Sequence, residues 1–145
     1  MAKKITPCLL YTSNADKAAK YYIGIFKDGK ILNTNKMATS FHAGGTDFVA
    51  INGPASEFNW NVSFMINCKD QKEVDYYWNH LKKGGKELPC GWLQDKYGMA
   101  WQIIPTAMMK FLSAKDRVKA GRTIEAMMKM KKLDIAKLKS AFDGK

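Results

Sequence analysis

The sequence predicts an α+β fold built from two paired βαβββ modules, on three observations. Short β-compatible runs bounded by Gly, Pro, Asn and Asp alternate with two stretches of helical period. The two halves, about 5–54 and 61–105, repeat the same order of elements. A chain of 145 residues with 46% hydrophobic content suits one core better than two independent ones. Two such modules side by side give a curved mixed sheet with helices outside and a concave cup within, and C-terminal helices follow.

The first module opens with Ile5–Thr12, a short apolar run. Ser13-Asn14 supplies an N-cap, and Asp16 suits the positive end of the helix. Ala15, Ala18, Tyr22, Ile25 and Phe26 share one helical face, and Lys27-Asp28-Gly29 closes the helix. Lys30–Met37 and Ala38–Ala43 read as strands. Gly44-Gly45 turns the chain into Asp47–Asn52, which Gly53-Pro54 ends.

The second module begins with the strand Asn61–Asn67. Asp70 and Glu73 form a capping box, and Val74, Tyr77, Trp78 and Leu81 make the buried stripe of a helix that Gly84-Gly85 stops. Leu88–Gln94 and Met99–Ile104 follow as strands. An internal repeat lays Lys17–Lys27 over Lys72–Lys82 through a shared Tyr-Tyr, and with a one-residue gap lays Gly29–Leu32 over Gly85–Leu88.

Cys90–Gln94 and Met99–Ile104 flank Asp95–Gly98 as a β-hairpin, and Pro105 ends its second strand. Gln102 is an amide among Ala100, Trp101, Ile103 and Ile104. Burying it unpaired costs about 1–3 kcal/mol, so it needs a partner or lines a cavity. After Pro105 the pattern turns helical. Met108, Met109 and Leu112 form a short turn, and Val118, Ile124, Met127 and Met128 mark a longer helix. Asp134 caps a last one bearing Ile135, Leu138 and Phe142. We divide the chain into a paired-module domain, 1–114, and a basic helical extension, 115–145, packed on that domain or on a dimer partner.

Composition narrows the function classes. No apolar run approaches the roughly 18 residues of a membrane helix, and the start lacks the apolar core of a signal peptide. Cys8, Cys68 and Cys90 show no metal-binding spacing and read as free thiols of a reducing cytoplasm. The net charge of +11 invites a nucleic-acid partner. Its density argues against one: 115–145 carries 10 Lys/Arg against 4 Asp/Glu, which we assign to solvated helix faces.

Several stretches carry a resemblance: Ala18-Ala-Lys-Tyr-Tyr with Ile25-Phe26-Lys27, Ala50-Ile-Asn-Gly53, Glu73-Val-Asp-Tyr-Tyr-Trp78, the whole of Cys90–Thr106, and Met130-Lys-Lys-Leu-Asp-Ile135. On these the chain resembles the PhnB-like family, whose members are often labelled 3-demethylubiquinone-9 3-methyltransferase domain proteins. That family lies within the glyoxalase, or vicinal oxygen chelate, superfamily. One departure is a short connection around Lys36–Ser40. The fold hosts many chemistries, so membership alone assigns none.

The resemblance implies where a divalent metal would be held, and the residues there are weak donors. The first-strand position falls at Pro7, the fourth-strand candidates are Ala50 to Asn52, the fifth-strand position falls near Asn61, and the last is Gln102. We therefore expect no metal and no cofactor. No Gly-rich strand-to-helix turn supports the methyltransferase label. Cys90 has no histidine near it in sequence, and Asp95 and Tyr97 read as turn residues. What remains is a cup lined by Tyr11, Phe41, Asn52, Phe58, Trp60, Trp92, Trp101 and Gln102, suited to a small aromatic or amphipathic molecule, or else a filled core. Strand parity leaves open whether Trp101 or Gln102 faces the cup, and the family position favours Gln102. The expectation is a cytoplasmic homodimer that binds an organic ligand. The alternative is a lyase, dioxygenase or methyltransferase-type enzyme of the same superfamily.

Overall fold

The computed structural model describes residues 3–145. Its strands hydrogen-bond into two four-stranded mixed sheets, ordered β1-β4-β3-β2 and β5-β8-β7-β6. Each sheet belongs to one of two compact units, the first ending at Glu57 and the second spanning Phe58–Lys145.

The first unit holds β1 (Cys8–Tyr11), α1 (Ala15–Ile25), β2 (Lys30–Thr34), β3 (Ala38–Ala43) and β4 (Thr46–Asn52). β1 runs parallel to β4, and β2-β3-β4 is an antiparallel meander. α1 buries Ala15, Ala18, Ala19, Tyr22 and Ile25 against the sheet, and Tyr22 stacks on Phe41 with ring centroids 6.0 Å apart. The N-cap expectation for this helix needs correcting. Asn14 occupies the cap position but makes no side-chain capping bond. Asn52 Oδ1, at the end of β4, instead accepts from Ala15 N at 2.9 Å. The short connection near Lys36 is a tight turn in which Asn35 Oδ1 accepts from Met37 N and Ala38 N, because an Asn side chain mimics the backbone of a turn.

The second unit holds β5 (Ser63–Cys68), α2 (Gln71–Leu81), β6 (Lys86–Glu87), β7 (Trp92–Gln94) and β8 (Ala100–Pro105). Three helices follow: α3 (Thr106–Leu112), α4 (Arg117–Met128) and α5 (Ile135–Asp143). Asp70 caps α2 through Glu73 N, and Asp134 caps α5 through Lys137 N. The expected strand Leu88–Gln94 is broken. Cys90 and Gly91 take positive φ, 62° and 81°, which no strand accommodates. Their amides donate to the carbonyls of Met130 and Lys131, so the break docks the chain between α4 and α5 onto this sheet.

The repeat is real but its register is one residue longer than the Tyr-Tyr alignment gives. Buried Ala18, Tyr22 and Ile25 correspond to buried Val74, Trp78 and Leu81, as cap Asn14 does to Asp70 and Gly29 to Gly85. Tyr22 is therefore matched by Trp78, not Tyr77, and no gap is needed. Leu133 of the α4–α5 connection and Leu138 of α5 are fully buried with Ile104 and Met108. α4 turns Ala120 and Thr123 inward. Val118, Ile124 and Met128, which marked this helix in the sequence, are exposed at 69%, 40% and 64%.

Candidate functional site

Residues of a strand alternate between the two faces of its sheet, so one contact to the covering helix assigns the whole register. In the first sheet Phe41 meets Tyr22 of α1, and Tyr11 OH lies 3.4 Å from Tyr22 OH. Asn52, paired with Tyr11, caps the same helix. Tyr11, Phe41 and Asn52 thus lie on the face that α1 covers, which corrects their expected place as cup lining. The opposite face carries Leu10, Ser40, His42, Asp47, Val49 and Ile51 in register.

On that face His42 is held from both sides. Its Nδ1 lies 2.5 Å from Asp47 Oδ1 and its Nε2 3.1 Å from Asp28 Oδ2. Asp28 also accepts from Gly44 N and Gly45 N, tying the β3–β4 turn to the chain that follows α1. The hydrogen bond from His42 holds the Asp47 carboxyl below its ordinary range, aided by the charges of Lys3 and Lys30. Partial burial works against ionisation of Asp28, but the two glycine amides outweigh it and hold that carboxyl low as well.

In the second sheet Trp78 Nε1 of α2 donates to Glu87 Oε1, and Glu87 is paired with Leu93, which is paired with Trp101. Trp101 is therefore on the covered face, 5% exposed, with its indole N–H donating to Asp95 Oδ2. Buried Asp95 also accepts from Tyr97 N and Met99 N, so its carboxylate organises the β7–β8 turn. Burial, then the charge of Asp95, raises the Tyr97 phenol.

Gln102 lies on the face opposite α2. It is in register with Trp92 on one side and Met65 on the other, and its Nε2 donates to Ser63 Oγ at 3.0 Å. Gln94, one row along, donates from Nε2 to Gly98 O at 3.3 Å. Trp92 is half-buried and Met65 is 49% exposed. In the segment leading into β5, Phe58 is half-buried beside Gly98 and Trp60 is 48% exposed. Of the eight candidates, the structure brings Trp92 and Gln102 together on this face. Ser63, Met65 and Gln94 join them and escaped the sequence reading. Alternation from Ser63 along β5 is the signal that finds the first two.

The residues do not fit a divalent metal. Pro7 has no side-chain donor, Ala50 is buried and Ile51 is apolar. The amide of Asn52 is spent on α1, Gln102 is a neutral amide, and both nitrogens of His42 face carboxylates. Among the described residues, no three His, Cys, Asp or Glu side chains are grouped to hold an ion. The Cys68 thiol is pushed up to about 12, first by burial and then by Glu73 and Asp70, so it is no nucleophile near neutral pH. Among the described residues no helix is long and apolar enough to cross a membrane.

Comparison with solved structures shows the fold. A putative 3-demethylubiquinone-9 3-methyltransferase, PhnB protein, from Bacillus cereus has 23% identity and a TM-score of 0.64, over 72% of this chain and 100% of that one. A protein from Pseudomonas aeruginosa has 17% identity and a TM-score of 0.61, over 72% and 98%. The fosfomycin resistance protein FosX from Listeria monocytogenes, solved with Mn(II) and sulfate, has 12% identity and a TM-score of 0.53, over 70% and 87%. Comparison with curated proteins gives no match. The family model described as 3-demethylubiquinone-9 3-methyltransferase matches residues 3–104, from the start of the described chain into β8 and short of α3–α5. The chain belongs to that PhnB-like family, with the glyoxalase fold.

Proposed function

We propose that this protein binds a small aromatic or amphipathic organic molecule, without metal chemistry, on the face of its second sheet opposite α2. The observation that carries the reading is the row Met65–Gln102–Trp92, with Ser63 fixing the central amide. A thioether, an indole and oriented amides together supply an apolar platform with sparse polar anchors, the usual chemistry of small-molecule sites. The weak donor set at the superfamily's metal positions supports a binding role over a metal enzyme. The same reading makes the protein a cytoplasmic homodimer. Val118, Ile124 and Met128, exposed on α4, are the apolar surface we assign to the partner copy.

Native mass spectrometry of protein isolated from its host tests the function directly. We expect an organic adduct that denaturation releases and that Trp92→Ala weakens. Protein free of any adduct, with no thermal shift across a library of small aromatics, would contradict the proposal. Sedimentation velocity tests the dimer, and a monomer at micromolar concentration would remove it.

A further inference from the structure

We propose that the Gln94–Gln102 face selects neutral aromatic ligands whose polar group both donates and accepts hydrogen bonds, carboxamides and phenols, over the matching carboxylates. The inference rests on the ligand-binding reading above and adds the chemistry of the ligand.

Two side-chain amides on this face each direct their nitrogen at a partner. A carbonyl oxygen can only accept, so Gly98 O fixes the nitrogen of Gln94 toward itself. Gln102 points its nitrogen at Ser63 Oγ. In each, one N–H is committed and the other remains. Neither Oε1 accepts a bond from any described residue, and neither is a buried orphan, so both carbonyl oxygens reach solvent. Register makes the two amides diagonal neighbours. Gln102 lies opposite Trp92 and Gln94 opposite Ala100, which places them within the span of one small ligand.

A primary amide or phenol complements this pair, donating to an Oε1 and accepting from a remaining N–H. A carboxylate can accept from the remaining N–H groups but has no proton for either Oε1, so it leaves both carbonyl oxygens unpaired against its charge. Asp95, next to Gln94 in the chain, is buried on the other face and already accepts from three donors. Lys86 is in register with Gln94 and is a cation that could rescue an anion. It lies exposed on edge strand β6, where water screens it. A site that hydrogen-bonds a ligand group discriminates strongly against analogues lacking it.

The test is an NMR titration of 15N-labelled full-length protein with three matched probes: p-toluamide, p-toluate and p-xylene. Readouts are the side-chain amide signals of Gln94 and Gln102 and the indole signal of Trp92. We expect p-toluamide to bind at least tenfold more tightly than p-toluate or p-xylene, with all three signals moving. Gln94→Leu combined with Gln102→Leu should erase that preference while p-xylene still binds. Toluate binding as tightly as toluamide, or losing affinity in Lys86→Ala, would overturn the selection rule yet leave the ligand reading intact. Equal affinity for p-xylene would overturn it too. No binding by any probe would overturn both.

Discussion

Asn52 acts on a helix 37 residues before it in the chain. The first N–H groups of any α-helix lack intrahelical partners, and a side-chain oxygen that satisfies one contributes about 1 kcal/mol. Asn52→Ala should therefore lower stability by about 1 kcal/mol in urea unfolding, and Asn14→Ala should cost little. Equal effects from the two substitutions would contradict the assignment. The Asp28–His42–Asp47 cluster makes a second prediction at this scale. Both carboxyls are held low in the folded protein, so they contribute stability above the unfolded value of about 4. That contribution is lost as pH falls through the folded values. The melting temperature should thus fall below about pH 4, and Asp28→Asn should flatten the fall. Superimposable calorimetric profiles for variant and parent would count against it.

The break between β6 and β7 shows what element-scale pattern can and cannot reveal. Leu88 to Gln94 has the composition of a strand, and nothing local forbids one except Pro89 and Gly91. What stabilises positive φ at Cys90 is a pair of carbonyls about 40 residues later, at Met130 and Lys131. By contrast, α2 and α5 are bounded by Asp70 and Asp134, caps within three residues of the amides they bind. These ends were legible because their chemistry is local. The site was half legible for the same reason. Sequence periodicity locates strands, but only Glu87 on Trp78 and Phe41 on Tyr22 fix which parity faces a helix. Hence Gln102 and Trp92 lie on the face opposite α2, while Tyr11, Phe41, Asn52 and Trp101 lie on the helix-covered faces. Gly91→Ala tests the break itself. A Cβ there would sit 2.9 Å from Leu133 Cδ1 and 3.0 Å from Ile103 O, at a φ that disfavours side chains. The expected loss is about 2–3 kcal/mol in chemical denaturation. A change below about 0.5 kcal/mol would show that the docked loop adapts.

For the whole molecule, the family match ends at residue 104 while the second compact unit continues to Lys145. The helices beyond the match bury Leu133 and Leu138 against Ile104 and Met108, and Gln71 of α2 binds both Leu133 O and Ile135 N. Deleting 115–145 should uncover this apolar cluster. The truncated protein should melt earlier and aggregate, or change its oligomeric state, in light scattering and calorimetry. A truncated chain as stable and as monodisperse as the parent would show the extension to be independent of the fold. The larger question at this scale is whether a glyoxalase-fold chain with these residues works as a binder or as a metal enzyme. Metal that binds the folded state raises the melting temperature by mass action. The measurement is the metal content of protein purified without added metal, paired with melting curves in Zn2+, Ni2+, Mn2+, Fe2+ and chelator. The account predicts substoichiometric metal and no shift in any of them. One equivalent of bound metal, with stabilisation that chelator reverses, would contradict it.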